Sequence, residues 1–363
     1  MKDHPGSNAG RCLPCHLRAL SQLTAIAVVV AACQEGDTRS VVEIGQLAVV
    51  NSDEPLCGGD IHRIEQAFAH IQDVLDVSVH EPIPVFVYDR ISDYERSIEG
   101  RCRSGSSGCF SNGEVHTLWQ SLEHELVHAV ARPAGFPAVF WDEGIAEALS
   151  DRNERGEADI MSSLELPPGE LPSYRTAGHF VRWLLEEYGP EGIRRIAREE
   201  AFSQAYGFEL SDAIDDYEAN APWSYPHWNP CSGELLSSTG PDTWVVDIEI
   251  NCADRSATVE YSLGVGAMRT IDIEQGGVYR LALHGGRGLN IVACQLEVLD
   301  SPPASDFAGD IIREDAGLKP PSQFVSDEEH LVELEPGRLL MYLSTEEGIT
   351  EGQLSLELER LGP

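Results

Sequence analysis

The pattern of apolar positions divides the chain into a mostly helical half and a half of short strands. Over residues 60–77 the apolar side chains recur at the spacing of one helix face, which predicts an amphipathic helix. Residues 83–88 form a short β-branched and aromatic run, which predicts a strand. The remaining helical patterns of this half cover 119–130, 140–149, 174–187, 190–200 and 210–218.

Two segments just before the helix at 119–130 have other patterns. Residues 102–112 are rich in Gly and Ser, which predicts a loop. Residues 114–118 predict a second, exposed strand.

Beyond residue 220 the period of the pattern changes. Residues 221–230 contain three prolines and show no clear period, which indicates a linker. Apolar and polar residues then alternate in about eight short runs separated by Gly, Pro and Asp, which predicts a β-sandwich or jelly roll. These runs lie near 243–250, 256–264, 268–274, 278–283, 289–299, 331–335, 338–344 and 353–359.

The N-terminus has the features of an export signal. A basic stretch precedes an uncharged, mostly apolar run over 19–32, which is shorter than the roughly 20 residues needed to span a bilayer. The run ends in Val30-Ala31-Ala32-Cys33, which resembles the lipobox of bacterial lipoproteins. This resemblance implies that Cys33 is lipidated, and Gln34 after it implies the outer membrane. The alternative is a plain secretory signal with an unmodified Cys33.

Cysteine usage agrees with export. If Cys12 and Cys15 leave with the signal and Cys33 carries lipid, as the lipobox resemblance implies, six of the nine cysteines remain. The even number that remains suggests three disulfides among Cys57, Cys102, Cys109, Cys231, Cys252 and Cys294. Six cysteines allow 15 pairings. Because they are split equally by the linker, either one bridge crosses it or two thiols stay free.

Length and charge set the remaining limits. At 363 residues the chain exceeds one ordinary domain of about 100–200 residues. The predicted parts are a signal peptide (1–32), a tether (33–54), a first domain (55–220), a linker (221–240) and a β-domain (241–363). With 61 acidic and 25 basic side chains the net charge is -36, which excludes nucleic acid as a partner and leaves membrane contact to the lipid at Cys33.

The segment His124-Glu125-Leu126-Val127-His128 carries the chemistry. On a helix, residues four apart lie on one face, so both imidazoles can reach one metal ion. Glu125 lies beside that ion and can act as a general base. A catalytic zinc takes three protein ligands, and Glu143 in Trp141-Asp142-Glu143-Gly144 supplies the third.

The motif H-E-L-V-H followed by W-D-E-G-I-A-E resembles the gluzincin metallopeptidases. The resemblance implies a zincin-like α+β domain, bound Zn²⁺ and hydrolysis of a peptide or protein substrate. It departs from the family in having Asp142 where Asn is common, and in a short connection between the two motifs. These departures leave Asp142 or Glu147 as alternative third ligands.

The same resemblance assigns further roles. Glu147 lies one turn after Glu143 and is expected to accept the second ring N–H of His124. The oxyanion donor is expected to be Tyr174, with His179 and His227 as alternatives. In zincins an edge strand before the active-site helix pairs with the substrate, and this role falls to 114–118.

Two other classes of function are consistent with the sequence. In one, a catalytically silent zincin scaffold serves as a binding lipoprotein whose β-domain recognises a protein or glycan. In the other, the histidine motif occurs by chance in an α/β lipoprotein without metal. Cleavage of peptides separates the first alternative from the enzyme, and metal content separates the second.

Overall fold

The computed structural model describes most of the chain after residue 40. The described residues are 41–51, 55–98, 101–103, 105–131, 138–150, 154–167, 170–198, 200–228, 231, 233–259, 265–286, 288–294, 298–301, 324–325, 329–345 and 351–362. The signal peptide and the lipobox at Cys33 lie outside them. Within these ranges, no helix combines the length and apolar character needed to cross a bilayer.

The helices of the described residues lie before residue 221. They are α1 (Gly58–Leu75), α2 (Ile91–Ser97), α3 (Leu122–Ala131), α4 (Val139–Leu149), α5 (Ile160–Leu164), α6 (Tyr174–Tyr188), α7 (Pro190–Ala197), α8 (Phe202–Tyr206) and α9 (Leu210–Asn220). A 3₁₀ turn at Trp119–Ser121 leads into α3. The six helices that the apolar pattern predicts are all present, whereas α2, α5 and α8 are too short to show a period.

The strands of the described residues fall into a first and a second group. The first group is β1 (Val41–Ile44), β2 (Leu47–Asn51), β3 (Ile83–Tyr88), β4 (Gly108–Ser111) and β5 (Glu114–Leu118). The second group is β6 (Glu234–Leu235), β7 (Thr243–Asn251), β8 (Ala257–Thr258), β9 (Gly266–Ile273), β10 (Gly277–His284), β11 (Gly288–Ala293), β12 (Phe324–Val325), β13 (Glu329–Leu334), β14 (Gly337–Ser344) and β15 (Glu351–Arg360).

The first group forms one sheet in the order β1-β2-β3-β5-β4. Its three central strands are parallel, and an antiparallel strand completes each side. The helix α1 connects β2 to β3 and buries one face, including Ile64, Phe68 and Ile71. It contacts α3, so the sheet, α1 and α3 share a core.

The tether that we expected over 33–54 contains two strands of this sheet. Ile44, Leu47 and Val49 are buried, and a turn with Gly45 at φ 57° joins the strands. Alternating apolar side chains gain more by burial against α1 than they would as a solvated tether. The hydrophobic pattern of this segment therefore favours strands over the tether that was expected there.

The expectations for 102–112 and 114–118 also need correction. The Gly- and Ser-rich segment is not all loop, because its end forms β4. Asn112 and Gly113 both have positive φ, the geometry of a two-residue hairpin turn, and they fold β4 back onto β5. The strand β5 is therefore internal and buried, and β4 lies at the edge.

The C-terminal part is an all-β region, as the period-two pattern predicts. One sheet has the order β13-β10-β15-β7 and the other β12-β11-β14-β9-β6, with β8 pairing β9. All these pairs are antiparallel except β6 with β9. Side chains from both sheets, such as Leu281 and Leu343, belong to one buried cluster.

The start of α1 is joined to the all-β region. Cys57 forms a disulfide with Cys252, and the Gly58 N–H donates to the Cys252 carbonyl at 2.7 Å. The buried Asp60 carboxylate accepts from the Val259 N–H at 3.0 Å and from the Thr258 hydroxyl. Burial raises the pKa of Asp60, although these donors lower it.

The other two bridges are local to one part each. They join Cys102 to Cys109 and Cys231 to Cys294. The sequence left two outcomes open. The observed one is a single disulfide that crosses the linker. The linker range 221–240 is partly packed, because Ser224 and Tyr225 are buried and β6 joins a sheet.

Candidate metal centre

The helix α3 presents both histidines of the motif on one face. His124 and His128 are buried, as are the neighbouring Leu126 and Val127 that hold α3 in the core. Their Nε2 atoms lie 3.1 Å apart. The two rings are nearly perpendicular, with centroids 4.8 Å apart. This arrangement directs both nitrogens to one point.

The helix α4 brings a carboxylate to the same point. Glu143 Oε2 lies 3.2 Å from Nε2 of His124 and 3.4 Å from Nε2 of His128. The three residues form a group that could hold a metal ion. Neither Asp142 nor Glu147, the alternative third ligands, takes this place.

Each imidazole has a second carboxylate on its other nitrogen. His124 Nδ1 lies 2.9 Å from Glu147 Oε1, so the two side chains that the sequence analysis paired lie within ion-pair distance. His128 Nδ1 lies 3.2 Å from Asp142 Oδ1, which the sequence reasoning missed. A protonated Nδ1 leaves Nε2 as the ligating nitrogen, so both rings are oriented for a metal.

The electrostatics of the group reflect these contacts. Burial lowers the pKa of His128, but Asp142 and Glu143 outweigh it and raise that pKa to about 10. Burial likewise lowers the pKa of His124, and Glu143 and Glu147 raise it overall. Burial raises the pKa of Glu143, yet both imidazoles bring it down to about 2. The carboxylates therefore make this a site for cationic charge.

Glu125 lies next to the group without joining it. The side chain is buried and packs against β4, where Gly108 leaves room for it. A Cβ at Gly108 would lie 2.5 Å from Cγ of Glu125 and 2.7 Å from its Oε1. A residue with a side chain at position 108 would therefore displace the carboxylate.

The three candidates for the oxyanion donor have different surroundings. Tyr174 opens α6 and its ring centroid lies 6.1 Å from that of His124. Burial, together with Glu143 and Glu125, raises the pKa of Tyr174 to about 12, so its hydroxyl stays protonated. His179 is fully buried against Tyr217, with Nδ1 at 2.9 Å from the Tyr217 hydroxyl. His227 is exposed in the linker range.

The metal-capable group, Glu125 and Tyr174 line one open cavity of about 380 Å³. Its lining includes His124, Glu125, His128, Glu143 and Tyr174, but neither His179 nor His227. Another wall consists of Arg103 and residues 105–110. Of the three candidates, Tyr174 is the one within reach of a ligand at the metal centre.

Close contact between α4 and α6 places the acidic residues of α4. A Cβ at Gly144 would lie 2.7 Å from Val181 Cγ2 and 3.0 Å from the Ala177 carbonyl oxygen. A Cβ at Gly178 would collide with Cβ of Glu147. Glycine at both crossing points allows the helices to approach and so holds Glu143 and Glu147 opposite α3.

The donor set fits a small tetrahedral ion. Ligand atoms about 2.0–2.1 Å from such an ion lie about 3.3 Å from one another. The separations of 3.1, 3.2 and 3.4 Å match this triangle. Two imidazoles and one carboxylate are also a known catalytic ligand set.

Comparisons with known proteins add no functional assignment. No family model matches the chain, and no curated protein matches it in sequence. Among solved structures, it is similar to the pre-peptidase C-terminal domain of a collagenase from Bacillus anthracis, at 7% identity and TM-score 0.22, over 36% of this chain and 98% of that one.

Two other solved structures share a weak likeness. One is a Paenibacillus cycloisomaltooligosaccharide glucanotransferase, at 17% identity and TM-score 0.15, over 41% of this chain and 22% of that one. The other is a family GH115 4-O-methyl-α-glucuronidase, at 9% identity and TM-score 0.17, over 61% of this chain and 40% of that one. TM-scores this low do not establish a shared fold, so function is argued from the site.

Proposed function

We propose that this chain is a zinc-dependent peptidase of the gluzincin type, with a zincin-like fold over 55–220. The observation that carries the proposal is the triangle of His124 Nε2, His128 Nε2 and Glu143 Oε2, with a carboxylate on each Nδ1. A structural group of buried residues would not need two imidazoles oriented in this way.

Zinc is the metal that this donor set favours. Calcium and magnesium prefer oxygen ligands, and in larger number, whereas imidazole nitrogen suits zinc. His124, His128 and Glu143 would hold the ion and leave one position open toward the cavity. When bound there, zinc would polarise the scissile carbonyl of the substrate and lower the pKa of a bound water molecule to about 7.

Glu125 is the proton carrier in this proposal. Its carboxylate lies beside the metal ligands and lines the cavity. It would accept the proton of the attacking water and pass that proton to the leaving amine. Packing against Gly108 fixes its position, so the transfer needs no large movement of the side chain.

Tyr174 is the hydrogen-bond donor to the oxyanion. Because its pKa is raised to about 12, the hydroxyl is protonated at neutral pH and can donate. It faces the metal ligands from the first turn of α6. A donor held there would stabilise negative charge as it develops on the carbonyl oxygen.

We assign the binding of the substrate main chain to β4 rather than to β5. The strand β4 is at the edge of its sheet, and Gly108, Cys109 and Phe110 line the cavity. An extended peptide could add to this edge through main-chain hydrogen bonds. Because β5 is internal, the substrate-binding role expected for it passes to its neighbour β4, which lines the same cavity as the proposed metal ligands.

The proposed location is the bacterial cell envelope. Three disulfides suggest an extracellular or periplasmic protein. The lipid anchor at Cys33 and the outer membrane are proposed from the lipobox-like segment alone.

The proposal is tested with the mature chain, from which the signal is removed, produced in an oxidising compartment. Zinc is measured by elemental analysis, and cleavage is followed with an unbiased peptide library. We expect one zinc per chain and cleavage that a chelator abolishes. Glu125→Gln should retain zinc and lose cleavage. Glu123→Gln, which removes a charge on the same helix outside the cavity, should retain both.

Other outcomes would contradict the proposal. A chain with stoichiometric zinc that cleaves no member of the library would favour the binding lipoprotein. Absence of zinc would favour an α/β lipoprotein without a metal.

A further inference from the structure

One wall of the cavity is a disulfide-closed loop. The Cys102–Cys109 bridge closes it, and Arg103, Ser106, Ser107 and Gly108 are among the lining residues. A loop closed over so few residues has little conformational freedom. The bridge therefore gives this wall a defined position opposite the metal centre.

Hydrogen bonds fix the same loop to the fold. The Ser106 hydroxyl donates to the Arg103 carbonyl and lies 2.9 Å from the Tyr94 hydroxyl. Ser107 Oγ lies 2.6 Å from Ser121 Oγ, just before α3. The backbone at Arg103 is thus held by the bond from Ser106 to its carbonyl and by the disulfide of the preceding Cys102.

The Arg103 side chain, in contrast, has no partner among the described residues. It is exposed and makes no ion pair or hydrogen bond through its guanidinium there. Arg101, two positions earlier, pairs with Glu114 at 3.2 Å. Within the described lining of the cavity, Arg103 is the sole Lys or Arg.

The acidic residues of the cavity contact groups other than Arg103. Glu143 contacts both imidazoles, and Glu147 and Asp142 each contact one. Glu125 packs against Gly108. Arg103 opposes the rise in the pKa of Tyr174, so its charge lies within electrostatic reach of the Tyr174 hydroxyl. Because Arg103 has no partner in the described part of the chain and lines a cavity with four carboxylates, it is available to a ligand.

We propose that Arg103 binds a carboxylate of the substrate, so that the enzyme prefers peptides with an acidic side chain or a free C-terminus near the scissile bond. This inference rests on the proposed peptidase function. A guanidinium binds a carboxylate through two parallel hydrogen bonds, and the described lining of the cavity offers no other Lys or Arg for that contact.

The net charge of -36 opposes the approach of an acidic peptide, but contact with Arg103 is the stronger effect. Charges separated by more than about 8 Å are largely screened at physiological ionic strength. A charge-assisted hydrogen bond acts within about 3 Å and is not screened in this way.

The experiment compares matched peptides with wild type, Arg103→Gln, Arg103→Lys and Arg101→Gln. Peptides found in the library are remade with Glu or Gln at each position flanking the scissile bond, and with a C-terminal acid or amide. The measured quantity is the ratio of kcat/KM within each pair. The two series separate a side-chain carboxylate from a terminal one.

We expect wild type to favour one carboxylate series about tenfold, as one charge-assisted hydrogen bond allows. Arg103→Gln should bring the ratio toward one, and Arg103→Lys should keep part of it because lysine lacks the planar fork. Arg101→Gln makes the same change in net charge outside the cavity and should keep the full ratio. The inference is overturned if wild type shows no preference, or if both Gln variants lower the ratio equally.

A second measurement separates this inference from the peptidase proposal. Binding of a pentapeptide amide with central Glu or Gln to zinc-loaded Glu125→Gln is measured by calorimetry, with and without Arg103→Gln. If wild type cleaves nothing but the Glu peptide binds more tightly in an Arg103-dependent manner, the peptidase proposal fails and the carboxylate site remains. Equal binding of both peptides contradicts a site for a side-chain carboxylate, and equal binding of the Gln pentapeptide as acid and as amide contradicts a site for a C-terminal carboxylate.

Discussion

At the scale of single residues, Asp142 and Glu143 show how adjacent acids take different parts of one site. Glu143 contacts Nε2 of both imidazoles, while Asp142 contacts Nδ1 of His128. Glu147, one turn later, contacts Nδ1 of His124. Each ring is therefore held by its own carboxylate.

We predict that Asp142→Asn and Glu147→Gln each weaken zinc binding by about 10- to 100-fold, because each loses the carboxylate that orients one ligand. Affinity is measured by competition with a chromophoric chelator. The two losses should multiply in the double variant, since they act on different imidazoles. Unchanged affinity in either single variant would show that its ring is oriented by other contacts. Glu123→Gln is the control, because it removes a carboxylate of α3 outside the cavity.

We predict that Tyr174→Phe lowers kcat on the order of 10²-fold, because the oxyanion loses its donor. Zinc content should not change, since Tyr174 is not one of the three ligands. Steady-state kinetics with a library-derived peptide provide the measurement. Tyr188→Phe removes a hydroxyl from the same helix, where it donates to Asp216, and should retain activity. An equal kcat for Tyr174→Phe and wild type would remove Tyr174 from the proposed mechanism.

His179 gives the chain a pH-dependent contribution to stability. Burial lowers its pKa from 6.5 to about 3, so below pH 6.5 the unfolded chain binds a proton that the folded chain does not. The contribution is complete above pH 6.5 and is lost as the pH falls toward 3.

We therefore predict that the stability advantage of wild type over His179→Gln shrinks by about 1.4 kcal/mol per pH unit below 6.5. Urea unfolding of both proteins at several pH values measures it, and other titrating groups cancel in the difference. Parallel pH profiles would show that His179 does not titrate in this way.

The sequence predicts which residue types meet at the metal centre better than it predicts their directions. Helical spacing is enough to bring His124 and His128 together. Whether Asp142 or Glu143 faces the two histidines depends on the rotation of α4 about its axis. The sequence of α4 alone does not determine this rotation. Tyr174 and His179 are five positions apart, about 140° around α6, so both cannot face the cavity. The packed face of α6 decides between them.

At the scale of elements, the crossing of α4 and α6 determines the position of the acidic residues. We predict that Gly178→Ala lowers the free energy of unfolding by about 1–3 kcal/mol and weakens zinc binding, because its Cβ would push Glu147 away. Denaturant unfolding and chelator competition measure the two effects.

The matched control is Gly113→Ala in the β4–β5 turn. A Cβ at Gly113 would meet nothing within 4 Å, although φ is 84°. In this variant the alanine strains the backbone but contacts no other group. The free energy of unfolding should therefore fall while zinc affinity stays at the wild-type value. If Gly178→Ala also leaves zinc affinity unchanged, the crossing does not position Glu147.

The elements that the sequence missed are short or lack a regular pattern. The strand β4 lies in a Gly- and Ser-rich segment, and only the Asn112-Gly113 pair signals that it turns back onto β5. The edge position of β4 then follows from that turn. By contrast, β3 and β5 have the predicted bounds. The strand β3 is an apolar run that the sheet buries, whereas β5 mixes apolar and polar residues and is buried although an exposed strand was expected.

At the scale of the whole molecule, we expect the long and the short disulfide loop to have different roles. Cys57–Cys252 closes a loop with a sequence separation of 195, and Cys102–Cys109 one with a separation of 7. Chain entropy gives about 5 kcal/mol for the long loop and about 2–3 kcal/mol for the short one. The short loop, however, forms a wall of the cavity.

We predict that replacing Cys57 and Cys252 by Ala costs more unfolding free energy, whereas replacing Cys102 and Cys109 raises KM more. Denaturant unfolding and steady-state kinetics on both double variants test this. If the order of either effect is reversed, the corresponding bridge does not have the role assigned to it. Zinc content serves as the check that each variant has folded.

The all-β region could be foreseen, but its attachment to α1 could not. Alternation of apolar residues predicts strands such as β7 and β10 because each buries one face. The buried contact of Asp60 with Thr258 and Val259 depends on two segments that are far apart in sequence. No local pattern encodes such a pairing.

The Cys57–Cys252 bridge also bears on how the chain acquires its native bonds. Of the six bridged cysteines, a chain made from its N-terminus exposes Cys57 first, and Cys102 and Cys109 appear before Cys252. Oxidation in order of emergence would join Cys57 to Cys102, which is not a native pair. Maturation of this protein therefore requires either delayed oxidation of Cys57 or later reshuffling by thiol exchange.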